Sequence, residues 1–222
     1  MNAEEDSAGR HPWSEDLTAE KMRSTLGGLS LPDLVERFSV EDEYDDYYEA
    51  VAGELYRQGQ AGIEVLGREL VGPRVPQLRA ALTVLALHQG EDPVFVDAVR
   101  TLVGASEPVV VADAIRILGS LGATDMSQAV RRMSDHQAPI VRAAVLDYLA
   151  RAEPESARPA LIQGLGDPDY IVRETAVDAL DDLGAADAIS AIEALLDDPH
   201  EDVRLAARTA VDNLRDGSSP VD

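Results

Sequence analysis

A beat of thirty-one residues constrains this chain more than any other feature of its sequence. Val172 and Arg173 recur as Val203 and Arg204, and the same step backwards reaches Val141 and Arg142, then Val110 with Val111 in the arginine's place. One further step, of 32, reaches Leu78 and Arg79. Around each anchor the apolar residues follow helical spacing, as in Val172, Ala176, Ala179, Leu180 and Leu183, or Val203, Ala207, Ala210, Val211 and Leu214. Each such helix is preceded by a shorter amphipathic one, for example Ala188, Ile189, Ile192, Leu195 and Leu196. A helix pair this small cannot cover its own apolar faces, so neighbouring pairs must stack. The expected fold is all-α, an α-solenoid or superhelix of about five to six helix pairs.

The spacing predicts first helices near 61–71, 93–104, 124–133, 157–165 and 187–196. Second helices are predicted near 77–89, 109–121, 140–151, 170–183 and 202–215. Asp92-Pro93, Glu107-Pro108, Asp167-Pro168 and Asp198-Pro199 punctuate the turns, since a carboxylate caps free amides and proline suits a first helical turn. Upstream, Leu31–Phe38 and Tyr44–Arg57 read as a degenerate pair. The expected division is an acidic flexible tail over 1–16, capping helices and a degenerate repeat over 17–60, the regular repeats over 61–216, and a second flexible tail over 217–222.

The run Asp167–Gly184 spells D-P-x-x-x-V-R-x-x-A-x-x-A-L-x-x-L-G. That pattern resembles the HEAT-like repeats first named from phycobilisome bilin lyases, and the resemblance covers roughly residues 60–215. It implies that the second helices line a concave face and that the turn aspartates and recurrent arginines form a ladder between repeats. The unit around Val110 departs from it, with Val111 for arginine and no turn aspartate, so the ladder is expected to break there. Proteins of similar sequence include scaffolds, lyase subunits and regulators, so the pattern specifies fold more than function.

Composition narrows the function classes. A formal charge of -23, from 42 acidic against 19 basic residues, repels nucleic acid and anionic lipid, so no direct nucleic acid and no membrane are expected as partners. The acids gather at the ends: residues 1–60 hold 15 acids and 5 bases, residues 61–152 hold 10 and 9, and residues 153–222 hold 17 and 5. Cysteine is absent, and no apolar run is long enough for a membrane span or a signal peptide, so a cytoplasmic, monomeric protein is expected.

Catalytic chemistry finds no support. Arg79, Arg142, Arg173 and Arg204 repeat at the structural period and read as structural pairs of the turn aspartates. One HEAT-like family, deoxyhypusine hydroxylase, builds a di-iron centre from repeated His-Glu pairs. Of His11, His88, His136 and His200 only the last precedes a glutamate. Neither a nucleophile elbow nor a glycine-rich phosphate loop occurs. No catalytic residue, metal or cofactor is therefore assigned, and the chain is read as a non-enzyme.

What remains is a surface. Counting one, five and eight positions on from the arginine along each second helix gives Glu174, Asp178 and Asp181, then Leu205, Thr209 and Asp212 in the next unit. Ala143, Asp147 and Ala150 occupy these places one unit back, and Ala112, Arg116 and Gly119 two units back; Ala80, Val84 and Leu87 come from the first regular repeat. If these helices line the inner curve, its C-terminal half is acidic. Five of nine aromatics fall between Phe38 and Tyr56, a composition that plugs the end of a helical stack; Tyr44 and Tyr48 are the contact candidates. The candidate partner-binding residues are thus Tyr44, Tyr48, Arg116, Asp147, Glu174, Asp178, Asp181, Thr209 and Asp212. They suit a scaffold, adaptor or regulator that holds a protein with a basic or amphipathic surface. The rival readings are a bilin-lyase-like subunit handling a tetrapyrrole and an acidic inhibitor or immunity protein that mimics nucleic acid.

Overall fold

A computed structural model of the chain describes residues 25–41, 44–90 and 92–217. The tails expected at 1–16 and 217–222 lie outside these residues, Gly217 excepted. Every regular element among the described residues is helical. The chain forms two compact units, Met1–Gln89 and Gly90–Asp222.

In the first unit α1 (Leu31–Phe38) and α2 (Asp45–Arg57) form the degenerate pair, followed by α3 (Gln60–Glu69) and α4 (Val75–Gln89). Ser30 starts α1 with a capping box: its hydroxyl accepts from the Asp33 amide while the Asp33 carboxylate accepts from the Ser30 amide. Helix α2 packs on α1, α3 and α4. The degenerate pair is therefore part of the same compact unit as the first regular repeat, and the change of unit falls at 89/90. Phe38, Tyr47 and Tyr48 are buried where α1 meets α2, with edge-to-face rings 5.7 Å apart for Tyr47–Tyr48 and 6.3 Å for Phe38–Tyr48. Each buried side chain of this size contributes about 1.5–3 kcal/mol by leaving water.

The second unit repeats one motif four times. Its pairs are α5 (Pro93–Leu102) with α6 (Pro108–Ser120), α7 (Ser127–Arg131) with α8 (Pro139–Ala152), α9 (Pro154–Gly164) with α10 (Tyr170–Asp182), and α11 (Ile189–Glu193) with α12 (Glu201–Asp216). Helix ends agree with the sequence spacing to within three residues, although α7 and α11 fall short at both ends. Those two are each reduced to five residues and entered through a 3-10 turn, Thr124–Met126 and Ala186–Ala188. Gly122 and Gly184, two repeat lengths apart, take φ of 62° and 60° to end α6 and α10. The amide that follows each turns back onto the helix, Ala123 to the Leu118 carbonyl and Ala185 to the Leu180 carbonyl, both at 3.0 Å.

The second helices α6, α8, α10 and α12 lie side by side, each touching the next, and the first helices pack back onto them. The second helices thus form one continuous layer, whose side away from the first helices is the inner face expected from the sequence. The stripe read from the sequence is the core: Val110, Val141, Val172 and Val203 are each no more than 2 % exposed. Small residues set how close the helices come. A Cβ on Gly119 of α6 would lie 2.9 Å from the Tyr148 Cα of α8, so only glycine permits this approach. The Tyr148 hydroxyl closes the junction by donating to the Ala123 carbonyl at 2.6 Å.

Candidate partner-binding surface

The recurrent arginines build the turn edge of the second unit. Arg142 grips Asp167 with two bonds, from Nε at 2.9 Å and Nη2 at 2.7 Å, and Arg173 grips Asp198 in the same way, both at 2.8 Å. Nη1 of each arginine donates backwards to carbonyls of its own turn, His136 at 2.7 Å for Arg142 and Asp167 at 2.9 Å for Arg173. Each guanidinium thus ties its own turn to the next repeat's, with planar forks that match the carboxylates. The aspartates also hold their turns locally, Asp167 accepting from the Asp169 amide and Asp198 from the His200 amide, both at 2.8 Å. Burial works against the Asp167 charge, yet the bonds from Arg142 and the Asp169 amide outweigh it and hold the carboxyl below its ordinary range. The Arg173 bond does the same for Asp198.

The break expected at Val111 is present, and it is two-sided. Val111 is buried, and the aspartate's place one repeat on is taken by His136, whose Nδ1 accepts from the Ala138 amide at 3.1 Å as a turn carboxylate would. Losing the arginine and the acid together leaves no orphan charge. Arg204 keeps its carbonyl bonds, to Asp198 at 2.7 Å and Pro199 at 3.1 Å, and has no ion pair among the described residues. Arg79, in the first unit, pairs instead with Asp45, 2.8 Å away.

The inner face is built differently. Its central row, one residue per second helix, runs Arg116, Asp147, Asp178, Thr209. Arg116 Nε donates to Asp147 Oδ2 at 3.0 Å, so the first two charges of the row cancel. Asp178 has no such neighbour. It is open to solvent along one side, yet burial, followed by the charges of Glu174, Asp182, Asp181 and Asp147, pushes its carboxyl up to about 6. Asp181 is only 8 % exposed. Its Oδ2 accepts from Asn213 Nδ2 of α12 at 2.7 Å, while its Oδ1 is buried with no hydrogen-bond partner. Burial raises the Asp181 carboxyl as well.

Several residues read as open-face positions lie instead in the seams between second helices. Ala112, Gly119, Ala143 and Asp181 are all buried, because adjacent helices this close cover each other's flanks. Of the remaining candidates, Glu174 is half-buried on the face, and Thr209 and Asp212 are exposed on α12 beside Leu205, which is 61 % exposed. In the first unit Tyr44 stands 80 % exposed at the start of α2. Tyr48 is core, with its hydroxyl donating to the Val40 carbonyl at 2.8 Å, and offers no surface to a partner. Sequence reasoning missed Asn213, although it stands one repeat of 32 after Asp181, and missed His136 as the occupant of an aspartate's place.

Other features of the fold hold no comparable arrangement. A cleft of about 450 Å³ opens on the turn edge beside His136, Arg142, Gly164 and Asp167, but the Arg142 guanidinium that lines it is already committed to Asp167 and to the His136 carbonyl. The ring of His200 stacks on Tyr170 at 3.6 Å and that of His88 on Tyr56 at 4.2 Å. Among the described residues no group of three or more histidines and carboxylates is placed to hold a metal ion, and no helix is long and apolar enough to cross a membrane.

Comparison with known proteins follows the same division between fold and chemistry. A family model for HEAT repeats matches residues 132–212. A search of the curated proteins found no match. Among solved structures, an engineered protein shares 18 % identity, covering 84 % of this chain and 97 % of its own, with a TM-score of 0.52. The complex of CpcE and CpcF of phycocyanin lyase from Nostoc also shares 18 % identity, covering 96 % of this chain and 100 % of its own, with a TM-score of 0.51. A designed armadillo repeat protein, at 17 % identity, covers 83 % and 100 % with a TM-score of 0.48. Likeness at such identity is a likeness of fold. The turn ladder, the stacked second helices and the matched segment agree on one conclusion: residues 132–212 are HEAT repeats, set in a chain with an α-solenoid fold.

Proposed function

We propose that the chain is a non-catalytic scaffold or adaptor that holds a protein with a basic surface against the inner face of its second unit. One observation carries this reading. Glu174, Asp178, Asp181 and Asp182 crowd a single helix, α10, and none of them has an ion pair among the described residues. At the turn edge, by contrast, Asp167 and Asp198 serve the fold, and each is neutralised by an arginine. Uncompensated carboxylates on an open face attract and orient a cationic partner, and they disfavour nucleic acid for the same reason.

The test is affinity purification from the native cell with the parent chain and with Asp178→Lys, each shown to melt normally, at low and high salt. The proposal expects a co-eluting protein that the charge reversal releases and that high salt weakens, since exposed charges are screened within about 10 Å at 0.1 M ionic strength. Retention unchanged by the reversal would remove the acidic face from the function.

A further inference from the structure

We infer that the acidic face of α10 is a receptor for one arginine, presented by a partner helix, whose guanidinium bridges Asp178 and the carboxylates beside it while its aliphatic stem lies against Leu205. This inference rests on the scaffold reading and specifies the chemistry of its occupant. The first ground is a pattern internal to the molecule. In the central row the step from α6 to α8 pairs Arg116 with Asp147 at 3.0 Å, and the next step, to Asp178, supplies an acid with no arginine. A guanidinium arriving from outside would complete the row as Arg116 does one position earlier.

The second ground is the orphan acceptor. Asp181 sits one helical turn beyond Asp178 on the same side of α10, is more than nine-tenths buried, and has one oxygen bonded to Asn213 and the other to nothing. A buried acceptor left unmade carries a desolvation cost of about 1–3 kcal/mol, and the positive charge of a guanidinium held at Asp178, one helical turn away, offsets it without entering the seam. Carboxylates three and four residues apart on a helix are about 5–6 Å apart at Cβ. A planar fork of five N–H donors reaches two of them at once, which a point-like ammonium does less well. The third ground is the flank. On α12 the places equivalent to Glu174 and Asp178 are Leu205, exposed, and Thr209, uncharged. An apolar ledge beside an acidic corner suits a side chain with a methylene stem and a cationic head.

Occupancy is coupled to protons. The charged groups acting most strongly on Asp178 are Glu174, Asp182 and Asp181 of its own helix and Asp147 of α8, all acidic; α12 contributes Thr209 at the row position, with Asp212 and Asn213 near the end of the helix. Asp178 titrates near 6 in the empty protein. A bound cation favours its ionised form, so binding strengthens as pH rises through that value.

The experiment uses the full chain and three helical peptides that differ at one position, placing arginine, lysine or citrulline between two leucines on an alanine-based background. Binding is followed by NMR titration, which detects millimolar affinity, with the Asp178 carboxyl signal followed from pH 5 to pH 8. The expected result is that the arginine peptide binds at least tenfold more tightly than the citrulline peptide and severalfold more tightly than the lysine peptide. Asp178→Asn should weaken it about tenfold, and Asp181→Asn severalfold, while Asp197→Asn, in an exposed turn, changes nothing. The Asp178 midpoint should fall on saturation with the arginine peptide only. Equal binding of citrulline, or indifference to Asp178→Asn, overturns the arginine receptor. If arginine peptides bind without regard to Asp178 and Asp181 but are lost at high salt, the acidic-face reading survives and this inference does not. If no cationic peptide binds, both fall.

Discussion

Around helix α10 the second unit carries acids at two places that treat charge in opposite ways. At the turn edge, Asp167 and Asp198 are almost sealed from water, and each is met by a two-pronged arginine from the preceding repeat. Asp178 on the inner face, and Asp181 in the seam beside it, are crowded by further acids, and among the described residues neither has an ion pair. A buried ion pair is tolerable because the arginine offsets the desolvation of the acid. The inner face has no such offset within the chain. The comparison separates carboxylates that the stack requires from those it merely tolerates, and the second kind are where a binding role is to be sought.

The largest test of this division is Arg173→Ala. It leaves Asp198 buried and unpaired and frees two turn carbonyls, so a loss of about 3–5 kcal/mol is expected in urea unfolding. A loss below about 1 kcal/mol would mean that the rung does not hold the repeats together. Arg204→Ala sharpens the point, because Arg204 holds the Asp198 and Pro199 carbonyls but no carboxylate of a following repeat. Its loss should cost only about 1 kcal/mol. A cost equal to that of Arg173 would show that the carbonyl bonds, and not the acid, do the holding.

The smallest effect is the most diagnostic, since it has the opposite sign. Asp167 and Asp198 titrate below their unfolded value, so their stabilisation is complete above about pH 4 and is lost on acidification. Asp178 titrates above its unfolded value, near 6, so its penalty is absent in acid, grows between about pH 4 and 6, and is full above. Asp178→Asn should therefore stabilise the chain slightly at pH 7.5, by about 0.5 kcal/mol for a screened, solvent-open site. By pH 4 the gain should be gone. A destabilised Asp178→Asn at neutral pH would place Asp178 with the structural acids and remove the contrast.

The sequence reveals the stack readily because two adjacent residues in every thirty-one repeat their chemistry: a valine that must be buried, beside an arginine that must be paired. Helix starts are marked by turn prolines at about the same interval, Pro108, Pro139, Pro168 and Pro199. The open face is harder to read. Periodicity tells which side of a second helix points inward, but not how far the next helix overlaps it, and that overlap depends on residue size at the seam. Gly119 and Ala143 let α6 and α8 approach until their flanks disappear, so positions counted as open are closed. Asp178 was legible as an exposed acid. Its isolation was not, because it depends on which neighbour Arg116 chooses, and on Asn213 capturing one oxygen of Asp181.

The paired absence of Val111's arginine and His136's aspartate has a consequence for engineering this molecule. The chemical unit of the ladder straddles the boundary of the helix pair, since an arginine belongs to one pair and its acid to the next. Cassettes cut cleanly between helix pairs are therefore not interchangeable. Moving the α9–α10 cassette to follow α6 would set Asp167 opposite Val111 and strand a carboxylate, whereas a cut made just after each turn acid would carry both halves of a rung together.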